Sequence, residues 1–216
     1  TYQVNQEGRT YNEFFLVRYA GVNAANGNAL FYTADGQLTE DPNEDTDRVL
    51  TGKSPLPVYQ GGFGFDASYK GFFLTTQFNY VADIWRMDQD LQSLSDTGPS
   101  ELHQFNKTTD LFDAWTPTNR YTSVPALAYN TGNYDVHDRF LRDASYVRLR
   151  FVSLGYDVPT KFLDKTFLDS VRVYAQGENL YTWSKWRGWD AESLRGGDYA
   201  QYPTPKIVSF GVEVKF

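Results

Sequence analysis

Residues 206–216 read Lys-Ile-Val-Ser-Phe-Gly-Val-Glu-Val-Lys-Phe, and no other stretch constrains the fold as tightly. Val208, Phe210, Val212, Val214 and Phe216 fall on one parity; Ser209, Gly211, Glu213 and Lys215 fall on the other. A period of two held over this length is a strand with one apolar face and one wet face. The length also suits the roughly 9–11 residues a tilted strand needs to cross a bilayer. A strand closing a soluble sandwich alternates in the same way, so both readings stand at this point.

Composition weighs on the choice. The chain holds 16 Tyr, 16 Phe and 5 Trp. Soluble cores lean on aliphatic residues, whereas Tyr and Trp suit places where one end of a ring is apolar and the other wet, such as membrane interfaces and sugar-binding surfaces. No run approaches the length of an apolar transmembrane helix, but barrel strands alternate and average out to a polar hydropathy. The net charge of −7 comes without any basic cluster, which argues against nucleic acid as a partner. Cysteine is absent, so disulfides, thiolate-bound zinc and thiol nucleophiles are excluded. His103 and His137 have no second histidine at metal-ligand spacing. With no nucleophile elbow, histidine pair or phosphate-cradling glycine loop, the expectation is that the chain is not an enzyme and needs no cofactor. The chain begins at Thr1 without an initiator Met, so either a leader has been removed or this is part of something longer.

Residues 1–57 carry an apolar segment before Arg18, turn chemistry in Gly21–Asn28, a short strand at Ala29–Thr33 and an acidic loop. Residues 58–83 read as a hairpin. Phe63, Phe65, Ala67 and Tyr69 alternate with polar residues, as do Phe72, Leu74, Thr76, Phe78 and Tyr80, and Lys70-Gly71 makes the turn. Residues 145–183 hold two more strands. In the first, the apolar parity switches near Phe151-Val152, which predicts a bulge that restores a single apolar face.

The connections are short at one end and long at the other. Lys70-Gly71 and Pro159–Asp169 are short, while residues 84–144 and 184–205 are long. Long connections without structure are uncommon unless they are functional. Short turns at one end and long loops at the other mark outer-membrane barrels, the long loops lying outside the cell. The expected fold is all-β, an antiparallel transmembrane barrel segment with its C-terminus on the periplasmic side.

Several stretches resemble the SusC/RagA-type TonB-dependent transporters of Bacteroidetes outer membranes. They include Tyr19-Ala-Gly-Val22, Asp66-Ala-Ser-Tyr-Lys-Gly-Phe72, Trp115-Thr-Pro-Thr-Asn119 and Ala144-Ser-Tyr-Val-Arg-Leu-Arg150. Gly177-Glu-Asn-Leu-Tyr-Thr-Trp183, Gly188-Trp-Asp-Ala-Glu192, Tyr202-Pro-Thr-Pro-Lys206 and the final Phe210–Phe216 continue the series. The succession runs from about Tyr19 to the end, and Ala191 stands where the family carries proline. The resemblance implies the last six or so strands of a plugged barrel of about 22 strands. It also implies a SusD-like surface lipoprotein as lid, TonB acting on a plug that belongs to the remainder of the barrel, surrounding outer-membrane lipid, and a glycan or peptide as cargo. The alternatives are a soluble β-sandwich carbohydrate-binding module and a small stand-alone barrel.

Candidate positions follow. Tyr181 and Trp183 read as the outer aromatic girdle. Trp186, Trp189, Asp190 and Glu192, further into that loop, could stack on a sugar and bond its hydroxyls, or simply pack the loop. Residues 84–144 add Trp85 and Trp115 as substrate contacts, alongside Tyr121, Tyr129 and Tyr134. Phe216 resembles the terminal aromatic read by the barrel-assembly machinery. Asp41, Asn43, Asp45 and Asp47 are spaced like the start of a calcium loop, but Thr46 and Gly52 replace the glycine and glutamate such a loop requires, so a solvated acidic loop is the plainer reading. Arg148, Arg150, Arg172, Glu178, Glu213 and Lys215 fall opposite the apolar faces, where mixed charges pair with one another or line a cargo path.

Overall fold

The computed structural model describes residues 2–95, 106–127, 136–192 and 202–216. His103, Tyr129 and Tyr134 lie outside the described residues. In chain order the strands are β1 (Gln3–Val4), β2 (Glu13–Val22), β3 (Ala29–Tyr32), β4 (Leu38–Thr39), β5 (Arg48–Leu50), β6 (Tyr59–Tyr69), β7 (Phe72–Ala82), β8 (Trp85–Met87), β9 (Leu141–Asp143), β10 (Tyr146–Asp157), β11 (Ser170–Ser184) and β12 (Ile207–Lys215), with one α-helix, α1 (Gln89–Ser95). None of the described helices is long and apolar enough to cross a membrane. The chain divides into two compact units.

One unit holds the long antiparallel strands, in the order β12-β11-β10-β7-β6. The two-residue turn at Lys70-Gly71 forms as expected. Both residues take positive φ, 49° and 91°, the twist that suits a tight hairpin. Alternation then sorts the side chains. One face carries rows such as Phe63–Phe78–Leu149–Tyr181 and Tyr69–Phe72–Tyr156–Val173–Val212. The other carries Asp66–Thr75–Ser153–Gln176–Ser209. Among the described residues the apolar face stands exposed: Phe63 is 56%, Phe210 83% and Val212 65% exposed. A soluble sandwich would bury that face against another sheet.

The bulge is present, but earlier than expected. Register shifts between Leu149 and Phe151 against both neighbours, so Arg150 is the extra residue opposite β7. Val147, Leu149, Val152 and Leu154 thereby share one face, and Phe151 crosses to the polar side opposite Gln77. β11 answers with its own irregularity, where Asn179 adopts a φ of 53°.

The other unit combines residues 1–56 and 84–143. The apolar segment before Arg18 accounts for a sixth strand before Tyr19. It exists as β2, but it pairs with the short β1, β3 and β5 in a separate sheet. Residues that read as loops also build a core: Phe14 and Leu16 of β2 pack on Met87, Phe140 and Leu141, with Trp85 and Leu91 against them. Val17, Ala29 and Phe31 form a second cluster. The buried Glu13 is held by Arg9 at 2.9 Å and by the Gly52 amide at 2.5 Å, so its charge has partners out of water.

Candidate functional site

The loop after β11 returns over the polar face of its own sheet. Arg148, on β10, is 4% exposed, and every nitrogen of its guanidinium is engaged. Its Nε donates to Thr182 Oγ1 at 2.9 Å, Nη1 to Glu192 at 2.6 Å, and Nη2 pairs with Asp190. Arg150 donates to the other Glu192 oxygen at 2.6 Å and to Asn179 Oδ1 at 3.0 Å. Arg148 and Arg150, two positions apart on β10, share a face by the alternation of the strand, and the bulge falls at Arg150. Burial by itself would raise the Asp190 carboxyl. The backbone N–H groups of Thr204 and Glu192, and then Arg148, outweigh burial and hold it down at about 2. Asp190 therefore closes the loop on itself as well as onto the strand, because Thr204 donates from the far side of the return.

Sequence reasoning singled out both ends of this network without joining them. Asp190 and Glu192 read as cargo contacts and the arginines as lumen charges. In the structure the four pair with one another. Glu192, with its side chain 34% exposed, and Arg150, 29%, form the solvent-facing half, while Arg148 and Asp190 form the buried half. Trp186 is buried, and Trp189 stands out at 76% exposure.

Tyr181 and Trp183 lie on the apolar face at the loop end of β11, with ring centroids 4.7 Å apart, and Trp183 is 6.4 Å from Phe78. Phe63 stacks on Phe78 at 5.0 Å, extending the aromatic row across the sheet. Phe216, the last residue, is 84% exposed beyond the final β11–β12 pair. On the polar face, Arg172 grips Asp157 with two hydrogen bonds of 2.6 and 3.0 Å and stands opposite Glu213, which in turn meets Lys215 at 3.5 Å.

In the other unit, Trp85 lies under the Lys53 ammonium at 3.7 Å and packs on the core. Trp115 donates from its indole N–H to Ala24 O at 3.2 Å. Its ring covers Gly27, where a Cβ would fall 2.5 Å from it. Both tryptophans thus have internal packing roles, whereas Tyr121 is 95% exposed. Asp113 organises the turn before it, accepting from Asn119 Nδ2 at 3.1 Å and from Thr122 Oγ1 at 3.1 Å.

Asp41, Asn43, Asp45 and Asp47 lie in the acidic turn. Asp47 accepts from the amides of Ala34 and Asn43 at 3.2 and 2.8 Å, and Asn43 accepts from the Asp45 amide at 2.9 Å. The Asn43 and Asp47 side chains serve the backbone of this turn, and no trio of His, Cys, Asp or Glu arranged to hold a metal occurs among the described residues. His137, to which the sequence assigns no role beyond lacking a second histidine at metal-ligand spacing, is buried among Tyr19, Phe31 and Phe140 at ring distances of 5.5–6.2 Å. Burial, and then the Arg139 charge, lower its pKa to about 4.

Comparison with known proteins follows the same lines. No family model matches. The chain is 31% identical to TonB-dependent receptor P3 of Formosa agariphila, over 99% of this chain and 23% of the relative. It is 23% identical to TonB-dependent receptor SusC of Bacteroides thetaiotaomicron, over 98% of this chain and 18% of that protein. Among solved structures it matches the RagAB peptide transporter with a TM-score of 0.84 and 30% identity, covering 95% of this chain and 23% of that one. An open-open state of the RagAB peptide importer matches at 0.83 and 31%, over 95% of this chain and 22% of that one. The chain spans about a fifth to a quarter of the length of these relatives. With a long-stranded antiparallel sheet exposed on its apolar face and charged on the other, the chain is a β-barrel segment of the SusC/RagA-type TonB-dependent receptors of the outer membrane.

Proposed function

We propose that this chain supplies wall, lumen lining and outward loops to a TonB-dependent importer that takes peptides or glycans across the outer membrane with a SusD-like surface lipoprotein. The observation that carries the reading is the match to the RagAB peptide transporter over 95% of the chain. In this reading TonB acts through the plug and the remaining barrel strands, and this segment performs no chemistry. The short turns and Phe216 face the periplasm, with Phe216 serving as the barrel-assembly signal, and Tyr181 and Trp183 sit at the outer interface. Trp189, the most exposed of the six proposed cargo-contact residues, is the first of its loop to meet cargo; Trp186, Asp190 and Glu192 belong to that loop, and Trp85 and Trp115 are the contacts proposed in the other unit. Exposed aromatics on loops anchored to a rigid scaffold are a common means of binding.

Intact mass spectrometry of the native detergent-extracted particle, with every chain in it sequenced, tests this. The expected result is co-purification with plug-bearing polypeptide and a lipoprotein. A chain that is soluble without detergent and travels alone would overturn the importer in favour of a soluble binding module.

A further inference from the structure

We propose that the apolar face of the sheet carries a binding site for one acyl chain of a membrane phospholipid, set in a groove over β11; the proposal rests on reading this face as the membrane-facing wall. Register shapes the groove. In the row Leu154–Ala175–Phe210 the middle side chain is the smallest, and in the next row Val173 lies between Tyr156 and Val212. β11 thus runs low beside the larger Leu154 and Tyr156 of β10 and beside Phe210 of β12. Further along β11 the Leu180 side chain covers Gly177 so closely that a Cβ there would meet it at 2.4 Å. The result is an open apolar hollow of about 500 Å³, within the range of roughly 300–1,000 Å³ typical of small-molecule clefts.

Position names the occupant. Its flanks are exposed and apolar on both sides: Phe72 and Leu154 are 58% and 55% exposed on one, Phe210 and Val212 83% and 65% on the other. What touches that face in a membrane is hydrocarbon, and a flexible chain can follow a hollow that rigid side chains leave and recover the dispersion contacts of its lining. One end of the groove supplies the complement to a headgroup. Val158 still pairs with Val171, donating at 2.9 Å, and the connection that starts there carries Lys161 and Lys165. It also presents Phe162 and Phe167, 66% and 82% exposed, with the Lys161 ammonium 5.0 Å from the Phe162 ring centroid. Exposed aromatics beside lysines suit the headgroup level, where lipid phosphates attract cations.

The test uses the full receptor that contains this chain, extracted in mild detergent, stripped of lipid and titrated with phosphatidylethanolamine under native mass spectrometry. One phospholipid per barrel is expected to survive activation that removes the rest. Ala175→Phe, which fills the groove, should weaken its retention about tenfold, and Lys161→Ala with Lys165→Ala should weaken it less. Ser209→Ala, on the opposite face, should leave it unchanged. Retention by Ala175→Phe equal to wild type overturns the site, as does a wild-type barrel that is heat-modifiable on gels yet holds no phospholipid. A receptor that is neither detergent-dependent nor heat-modifiable overturns the membrane reading itself.

Discussion

Arg148 and Asp190 stand 42 residues apart in the chain and meet as an ion pair with side chains only 4% and 9% exposed. The pair ties the loop after β11 to β10, and Glu192 doubles the tie through both arginines. Removing one member leaves a buried charge without its partner, which typically costs about 3–5 kcal/mol. Since Glu192 remains, Asp190→Asn should cost the low end of that range, about 3 kcal/mol. Limited proteolysis should cut the variant's loop faster while the barrel stays heat-modifiable.

Acid should loosen the same tie. The Asp190 carboxyl sits at about 2, below its ordinary 3.8, so its contribution is fully present above pH 4 and is lost as pH falls toward 2. Hydrogen exchange at Glu192 and Thr204, whose amides donate to Asp190, should speed up across that window. An unchanged rate would mean the carboxylate is not what holds the loop.

His137 predicts a different window. Its pKa of about 4 lies below the ordinary 6.5, so the folded state prefers the neutral ring. Stability that is full above pH 6.5 should fall as pH drops toward 4. The groups facing the ring are Tyr19, Phe31, Phe140 and Arg139, and the neighbouring Asp138 has its pKa raised, chiefly by burial, which opposes the trend at the acid end. His137→Phe should flatten the dependence of Tm on pH between 6.5 and 4 relative to wild type.

Gly27 cannot become alanine without cost. Its φ is +83° and its missing Cβ would fall 2.5 Å from the Trp115 ring. Strain and overlap together should exceed the roughly 1 kcal/mol of a compatible Gly→Ala change and carry the opposite sign. Trp fluorescence and denaturant midpoint would record the displaced indole.

The two sheet faces should respond differently to charge. Val212→Lys, on the apolar face, should destabilise the barrel, though by less than the roughly 2–4 kcal/mol of a lysine at the bilayer midplane, because Val212 lies toward the headgroup end of its strand. Ser209→Lys, on the polar face, should be tolerated. Urea unfolding in liposomes separates the two.

Alternation along single strands determined much of this protein. Period two in Phe63–Tyr69, Phe72–Tyr80 and Val208–Val214 determined which side chains share a face, and Lys70-Gly71 determined where the hairpin turns, because both are written in neighbouring residues. The parity switch near Phe151 announced a bulge. The tertiary structure decided that Arg150 is the extra residue and that Phe151 changes face, since register belongs to β7 and β11 as much as to β10. It also decided that β2 leaves the long sheet and that residues 84–143 build a core with residues 1–56. Above all it decided that Asp190 and Glu192 answer Arg148 and Arg150. Periodicity is local, whereas a buried charge is settled by whichever partner the folded chain brings within reach.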